Sequence, residues 1–450
     1  MEMFNSIDNT DINTEVTSVP SNANSHQVIA PRPKTIEETG LSLQFLGDLL
    51  VKHINDGGVL NIGQLAKRCA LAGAVVEGVL DFLRKEGRVE VRGQDEITGG
   101  LRYALTERGR SSALDALLRS GYIGPAPVLL SDYLRVVDAY SVHDVVVTNE
   151  VMKQVFADVV IRDEKLNQLG PAMHSGRAIF IYGPAGTGKT YITQRLINLL
   201  PDDVLIPYAV SINETVVQLF DPQIHKVCDE SDKKPNHMLE QGYDPRYARC
   251  HRPVIVTGGE LTLDMLELNY NPVTKEYQAP LQMKANNGIF IIDDLGRQRV
   301  APVDILNRWI VPMEEKKDYL SLGAGCQFSV PFNNVLVFST NINPLELADE
   351  AFLRRIGYKI HFDYLSADEY KRIWQQECEK AGIDFDEGVL NFLINELHHK
   401  DQVPLLPCHP RDLLNIALNM GAYQGDPDSV TIERVSAAWD TYFVQLEEIL

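Results

Sequence analysis

The sequence has no apolar run long enough to cross a membrane, and it has only six cysteines in 450 residues. Its apolar runs, such as Ala178–Tyr182 and Ile289–Ile292, are of strand length, whereas a membrane span needs about 20 apolar residues. The first 34 residues are polar and lack a basic segment followed by an apolar core, so we expect no secretory signal. We therefore expect a cytoplasmic protein with no membrane span.

The cysteines are scattered, and no Cys-x-x-Cys pair occurs. This pattern favours reduced thiols over a disulfide framework. Two short spacings, His225-x-x-Cys228 and Cys250-His251, raise the question of zinc. Adjacent Cys and His side chains make poor chelate geometry, so we expect no metal there.

A basic surplus is also lacking, because the formal net charge is −20. Proteins that track phosphate backbones usually carry a basic patch, so nucleic-acid binding is possible but not favoured. A hydrophobic content of 44% with 23% charged residues is typical of globular proteins, and the length predicts two or three domains.

We predict a disordered leader at residues 1–35, because this polar stretch buries too little apolar surface to offset its chain entropy. Residues 36–120 have the order helix, helix, helix and two strands. These predicted elements are Leu41–Ile54, Asn61–Cys69, Ala74–Lys85, Arg88–Arg92 and Leu101–Leu105. The order resembles a winged helix-turn-helix domain.

We favour protein docking for this domain, because its third helix presents Glu77 and Asp81, which a phosphate backbone repels. The alternative is DNA contact through a basic wing. Its residues would be Arg84, Lys85, Arg88, Arg92 and Arg102.

Residues 121–144 contain Gly124–Pro127 and are predicted to form a stiff linker. From 145 to 363, strand-like runs alternate with longer segments, which predicts an α/β core with a parallel sheet flanked by helices. Residues 364–450 are predicted to form a helical lid. Its helices are expected at Ala367–Ala381, Glu387–His399, Arg411–Tyr423 and Ile432–Leu446.

The strongest motif follows the predicted strand Ala178–Tyr182 and precedes a predicted helix that starts at Tyr191. It reads Gly183, Pro184, Ala185, Gly186, Thr187, Gly188, Lys189, Thr190. In this strand–loop–helix context it is a P-loop, whose glycines let backbone N–H groups wrap a phosphate. Lys189 is expected to contact the β- and γ-phosphates, and Thr190 to bind Mg²⁺.

Two further predicted strands end in polar residues. Gly288–Ile292 is followed by Asp293 and Asp294, and Val335–Thr340 is followed by Asn341. We assign Asp293 to Mg²⁺ and Asp294 to the attacking water. Asn341 is expected to reach the same water from the neighbouring strand.

The order of these motifs resembles the AAA+ ATPases, over about residues 145–445. The resemblance implies ATP and Mg²⁺ as ligands, Asn341 as sensor 1 and Arg411, in His409-Pro-Arg411, as sensor 2. The segment Ala351–Ile356 matches the arginine-finger segment, with Arg355 preferred over Arg354. Because that arginine acts on the neighbouring subunit's ATP, the resemblance implies a homo-oligomeric ring, most simply a hexamer.

One departure concerns Asp294, where AAA+ proteins usually have Glu. Asp is one methylene shorter, so the water must lie closer, which leaves slow turnover open. Helicase-loader relatives resemble this chain in having Asp-Asp-Leu-Gly at this position, which argues against inactivity. Two predicted hairpins, Thr262–Asn271 with Lys275–Met283 and Tyr319–Leu322 with Cys326–Val330, resemble the inserts of the MoxR-like branch. They either grip a substrate through residues such as Tyr270, Tyr277 and Lys284, or only extend a sheet edge.

The leading hypothesis is an ATP-hydrolysing ring of MoxR-like type that remodels an unknown protein client and docks through the winged helix. The first alternative is a DNA-associated ATPase or transcription regulator. The second is a nucleotide-switched scaffold with little turnover.

Overall fold

The protein is described here by a computed structural model that covers residues 29–94, 99–200, 203–228, 243–323, 325–426 and 429–443. Most of the expected leader, residues 1–28, lies outside the described residues. The expectation was wrong for its last part. Ala30 is buried, and its carbonyl oxygen accepts a hydrogen bond from the backbone N–H of Asp244 at 2.8 Å.

The N-terminal region contains the predicted helices and strands, and each boundary lies within about three residues of its predicted position. Asn61 and Gln64 form a capping box that starts the second helix. The three strands pair antiparallel in the order β1–β3–β2. The elements are α1 (Leu43–Gly57), β1 (Leu60–Asn61), α2 (Ile62–Cys69), α3 (Gly73–Lys85), β2 (Val89–Gln94), β3 (Leu101–Leu105) and α4 (Glu107–Arg119).

The core is a five-stranded parallel sheet in the order β10–β13–β16–β5–β17, as the α/β prediction required. Successive side chains point to opposite faces and are buried under two separate apolar clusters, because helices cover both faces. The strands are β5 (Ile179–Tyr182), β10 (Val254–Thr257), β13 (Ile289–Ile292), β16 (Val335–Thr340) and β17 (Tyr358–His361). The helices around it are α6 (Asn149–Val155), α7 (Asp163–Ser175), α8 (Lys189–Arg195), α9 (Leu281–Lys284), α10 (Pro302–Glu315), α11 (Pro344–Leu347) and α12 (Glu350–Arg355).

A second sheet, with the order β11–β12–β8–β7–β4, lies between this core and the N-terminal region. Two separate strand pairs, β6–β9 and β14–β15, complete the β structure of the described residues. The strands are β4 (Val128–Leu129), β6 (Asp203–Pro207), β7 (Ala209–Ile212), β8 (Thr215–Gln218), β9 (Tyr247–His251), β11 (Asn269–Asn271), β12 (Glu276–Gln278), β14 (Lys317–Leu322) and β15 (Cys326–Pro331).

The predicted linker at 121–144 is a packed segment. It contributes β4 to the second sheet and continues as α5 (Leu130–Ala139), which buries Tyr133, Val136 and Val137. The linker prediction relied on the turn residues Gly124–Pro127 and missed the apolar face that follows them.

The two predicted hairpins have different outcomes. The hairpin β14–β15 is confirmed within a few residues. The first hairpin is much shorter than predicted: β11 and β12 have three residues each, Leu263–Leu266 is a 3₁₀ helix, and Leu281–Lys284 is α9. Since β12 pairs with β8, this hairpin extends a sheet edge.

The C-terminal region is helical, as predicted, and packs around the buried Trp374 and Trp439. Its elements are α13 (Ala367–Ala381), α14 (Glu387–Phe392), a π-helix (Leu393–His398), α15 (Cys408–Gln424) and α16 (Ile432–Tyr442). Residues 444–446 of the last predicted helix lie outside the described residues. Of the helices in the described ranges, none has the length and apolar character that a membrane crossing demands.

Arg246, directly before β9, forms an ion pair with Asp244, and both side chains are only 3% exposed. Arg246 also donates to the carbonyl oxygens of Thr39 and Pro127. Arg246→Leu leaves a buried carboxylate without its cation, so we expect the free energy of unfolding in urea to fall by about 3–5 kcal/mol. The exposed pair of Arg119 with Asp48 is the control, and Arg119→Leu should cost less than about 1 kcal/mol. Equal losses for the two variants would contradict the assignment.

Candidate nucleotide site

The P-loop connects β5 to α8, as predicted from Gly183–Thr190. Gly183, Gly186 and Gly188 have φ values of 146°, 79° and 82°, which only glycine adopts without strain. A Cβ atom at Gly183 would lie 1.9 Å from the carbonyl oxygen of Phe362 on the chain after β17. The loop therefore requires glycine both for its turns and for its close packing on the adjacent strand.

Lys189 occupies the first turn of α8 and is buried. Its Nζ donates to the carbonyl oxygens of Gly183 at 2.9 Å and Pro184 at 2.7 Å, and to Oδ1 of Asn341. Burial lowers the pKa of Lys189, against the opposing effect of the Asp293 and Asp294 carboxylates. An anionic ligand that contacts this buried ammonium group would stabilise its charged form.

The three predicted strand ends meet at one edge of the sheet. Register places Phe338 beside Ile292 and Thr340 beside Tyr182, so the residues that follow these strands are neighbours. Thr190 Oγ1 donates to Asp293 Oδ2 at 2.6 Å, and Asn341 Nδ2 donates to Asp294 Oδ1 at 3.3 Å.

Asp294 has a φ of 48°, in the left-handed region that a residue with a Cβ rarely adopts. Gln298 supports this turn: its Nε2 donates to the carbonyl oxygens of Asp293 and Asp294, and its Oε1 accepts from Gly296 N–H. The strained turn directs the Asp294 carboxylate toward Asn341 rather than along the strand.

The residues fit a magnesium–nucleotide. Mg²⁺ prefers oxygen ligands and keeps several waters, and the Thr190 hydroxyl and Asp293 carboxylate supply oxygens beside the P-loop. The open turns of Gly186 and Gly188 present a backbone without side chains at the helix N-terminus, where phosphate binds.

These groups line a cavity of about 960 Å³ between the core and the helical region. Ligand pockets are roughly 300–1,000 Å³, so a nucleotide fits. Ala185, Thr187 and Tyr191 also line the cavity, and Thr187 Oγ1 donates to Pro184 O at 2.9 Å. Arg411, the residue that the resemblance assigns to sensor 2, lines the cavity from the helical region and pairs with Asp412 at 3.0 Å.

The two candidate finger residues lie elsewhere. Arg354 pairs with Glu350, and Arg355 pairs with Glu314 across α10. Neither is among the described residues that line the cavity of their own chain. Arg297, by contrast, lines this cavity.

The sequence reasoning missed the apolar end of the cavity. Val159, Val160 and Ile161, between α6 and α7, line it together with Leu365 and Ile373 of the helical region. No motif marks these residues, because any large apolar side chain makes such a wall. Their only signal in the sequence is an apolar triplet between two helical segments.

It also missed an ion pair that bridges core and helical region at the cavity. Arg162, just before α7, donates Nε and Nη2 to the two carboxylate oxygens of Glu369 at 2.8 Å each. Burial raises the pKa of Glu369, but hydrogen bonds from Arg162 and Ser366 outweigh this effect and lower it. The carboxylate therefore stays ionised, and the bidentate pair fixes the orientation of α13.

Comparison with known families finds one match, a model described as a domain of unknown function (DUF8689), over residues 366–441. This range is most of the helical region and includes Arg411. No curated protein matches the sequence.

Among solved structures, the Holliday junction branch migration motor RuvB of Thermotoga maritima is 13% identical, over 65% of this chain and 69% of that one, with a TM-score of 0.34. NtrX of Brucella abortus is 11% identical, over 72% of this chain and 59% of that one, with a TM-score of 0.36. At such scores these likenesses carry no argument. The α/β fold assignment rests on the parallel sheet and the P-loop that follows its β5 strand.

We predict that Arg162→Gln weakens ATP binding about fivefold, because an ion pair of this exposure contributes at most about 1 kcal/mol. Glu369→Gln should weaken binding by a similar factor, although it removes a negative charge from the cavity and keeps the capping box. Calorimetry on both variants measures the effect, and Arg135→Gln, in an exposed pair on α5, is the control. Tighter binding by Glu369→Gln would show that charge, not orientation of α13, determines the affinity.

Proposed function

We propose that this chain is a Mg²⁺-dependent ATPase of the AAA+ type. The supporting observation is the convergence of Lys189, Thr190, Asp293, Asp294 and Asn341 at one end of a cavity of nucleotide size. A Gly-rich turn alone binds phosphate. The carboxylates of Asp293 and Asp294 and the amide of Asn341, beside this turn, supply the groups that hydrolysis requires to bind Mg²⁺ and activate a water.

Each side chain has a distinct role in this proposal. Lys189 holds the β- and γ-phosphates, and Thr190 and Asp293 hold Mg²⁺, which neutralises the charge that develops on the γ-phosphate. Asp294 accepts a proton from the attacking water, and Asn341 positions that water. The hydrogen bond from Lys189 Nζ to the Asn341 amide supports this proposal, because it keeps the amide beside the ammonium group that would hold the phosphates.

The shorter Asp in place of Glu is compatible with this role. Asp294 has a left-handed φ, and its carboxylate accepts a hydrogen bond from Asn341. We infer that this backbone turn partly compensates for the shorter side chain. We infer that the attacking water lies within hydrogen-bond reach of both side chains, closer to the strand end than a Glu would hold it.

Hydrolysis in trans is the second part of the proposal. Arg355, at the end of α12, does not line the cavity of its own chain, and Glu314 orients its guanidinium group. From the resemblance of its segment to the AAA+ arginine finger, we propose that Arg355 acts on the nucleotide of a neighbouring copy in a closed ring. We propose a homo-oligomer, most simply a hexamer.

We propose protein docking for the N-terminal region, read as a winged helix. Its basic residues are largely satisfied by acidic ones: Arg88 contacts Asp48 and Glu86 and is only 15% exposed, and Arg92 pairs with Glu90. Arg84 pairs with Asp81. Arginines engaged in such pairs make a poor phosphate-binding surface, which favours a protein client over duplex DNA.

Lys284 does not fit the role of gripping a client. Its side chain is only 10% exposed, and its Nζ forms an ion pair with Asp221 Oδ2 at 2.9 Å. Tyr270 stacks on Tyr277 with ring centroids 4.7 Å apart, and Tyr270 is 43% exposed. We therefore keep Tyr270 as the hairpin residue available to a client in a MoxR-like remodelling reaction.

Asp294→Asn tests the enzymatic role. The amide cannot accept the proton of the water, so we expect phosphate release to fall roughly 100-fold or more, the usual size of a general-base contribution. ATP affinity should be nearly unchanged. Asp363→Asn, which changes another carboxylate of the same cavity, is the control and should retain turnover. If the wild-type protein and both variants release phosphate only at the background rate, the result would instead support a nucleotide-switched scaffold.

Mixing two inactive variants tests the shared site. Lys189→Ala subunits lose phosphate contact and Arg355→Ala subunits lose the trans arginine. In a random equal mixture about one site in four joins an intact Lys189 with an intact neighbouring Arg355, so part of the activity should return. Arg354→Ala subunits, mixed in the same way, are the matched comparison. Zero phosphate release at every Arg355→Ala ratio would refute action in trans.

A further inference from the structure

The insertion between α8 and β10 brings three chain segments side by side. Asp203 on β6 lies directly opposite His251 on β9. On the other side of β9, Val227 bridges Cys250, Cys228 N–H donates to Arg249 O at 3.0 Å, and His251 N–H donates to Lys226 O at 3.0 Å. Residues 226–228 therefore run antiparallel beside β9 as a third extended segment, joined by a single β-bridge.

Side chains alternate between the two faces of these strands. On β9, Ala248 and Cys250 are buried, and Arg249 and His251 are exposed on the outer face. Adjacent Cys250 and His251 thus point in opposite directions, so these two side chains do not chelate one ion together. His225 is also excluded, because its Nδ1 accepts from Asp221 N–H and its Nε2 contacts Lys284 O.

The outer face nevertheless collects one ligand atom from each of the three segments. Cys228 Sγ lies 3.7 Å from His251 Nδ1, and Asp203 Oδ1 lies 3.3 Å from the same nitrogen. All three ligand atoms lie within 4.8 Å of one another. The three atoms surround one point in front of the imidazole.

This geometry differs from that of a nucleophilic Cys–His–Asp relay. A relay uses both ring nitrogens, one for the nucleophile and the other for the carboxylate. Here the thiol and the carboxylate approach the same Nδ1 atom. Convergence on one nitrogen is the arrangement of ligands around a common ion.

The spacings also match a small tetrahedral cation. With Zn–S of about 2.3 Å and Zn–N and Zn–O of about 2.1 Å, tetrahedral angles give S···N of about 3.6 Å and N···O of about 3.4 Å. The observed separations are 3.7 and 3.3 Å. Mixed thiolate, imidazole and carboxylate ligands suit Zn²⁺ rather than Mg²⁺ or Ca²⁺.

Arg249 forms an ion pair with the Asp203 carboxylate. Its Nη2 donates to Asp203 Oδ2 at 2.6 Å, which leaves Oδ1 directed at the imidazole. A hydrogen bond to the second oxygen of a ligating carboxylate is a typical outer-shell contact of metal sites.

We propose that Asp203, Cys228 and His251 bind one zinc-type divalent cation, with a solvent molecule at the fourth position. The ion joins β6, β9 and the 226–228 segment on their exposed face. It stabilises this insertion independently of the nucleotide site.

Cobalt titration of tag-free, full-length protein without nucleotide tests the site. We expect one equivalent of Co²⁺ to give a tetrahedral visible spectrum and a thiolate-to-cobalt charge-transfer band, both removed by Zn²⁺. Cys228→Ser should abolish the charge-transfer band, and His251→Ala should weaken binding at least tenfold. Cys326→Ser, which changes a thiol on β15, is the matched control and should bind Co²⁺ like the wild type.

Thermal melting gives an independent readout. Zn²⁺ should raise the melting temperature of the wild type and of Cys326→Ser, because a ligand that binds only the folded state stabilises it. It should not raise that of His251→Ala, whose exposed side chain is not needed for folding. Absence of stoichiometric Co²⁺ binding in the wild type, or a charge-transfer band that survives in Cys228→Ser, would overturn the proposal.

Discussion

The parallel register of β5, β16 and β13 is the constraint on which the candidate site depends. Because neighbouring parallel strands end at the same edge, the P-loop, Asn341 and the two aspartates become neighbours although they are far apart in sequence. The strands hold this register through apolar clusters on both faces. A slip of one residue would exchange the two clusters and separate the Lys189–Asn341 contact.

The cavity depends on a second condition, the position of the helical region. Its apolar wall is shared between the segment before α7 and helix α13, and Arg162 and Glu369 join the two at the rim. Arg411 reaches the same space from α15. A ligand that fills this cavity would therefore contact both the core and the helical region.

The N-terminal region is packed onto the second sheet rather than tethered by a linker. The Arg246–Asp244 pair, and the contact of Lys275 Nζ with Leu118 O at 3.0 Å, join it to the insertion and to the β11–β12 hairpin. The hairpin therefore directly contacts the region that we propose docks a partner. The side of the N-terminal region that faces the second sheet is covered, so docking uses the remaining surface.

The sequence by itself determined three helices and two strands of the N-terminal region, the α/β core, the P-loop and the residues that follow β13 and β16, because these depend on local periodicity and on motifs with fixed spacing. It missed β1 and α4. It failed where contacts between distant segments decide the outcome. The linker became strand and helix because its apolar face found the second sheet, and the first hairpin is short because its flanking residues turn into helices. Only the tertiary structure brought Arg162 to Glu369, and Asp203 and Cys228 to His251. These contacts join segments that are far apart in sequence, so no motif of fixed spacing predicts them.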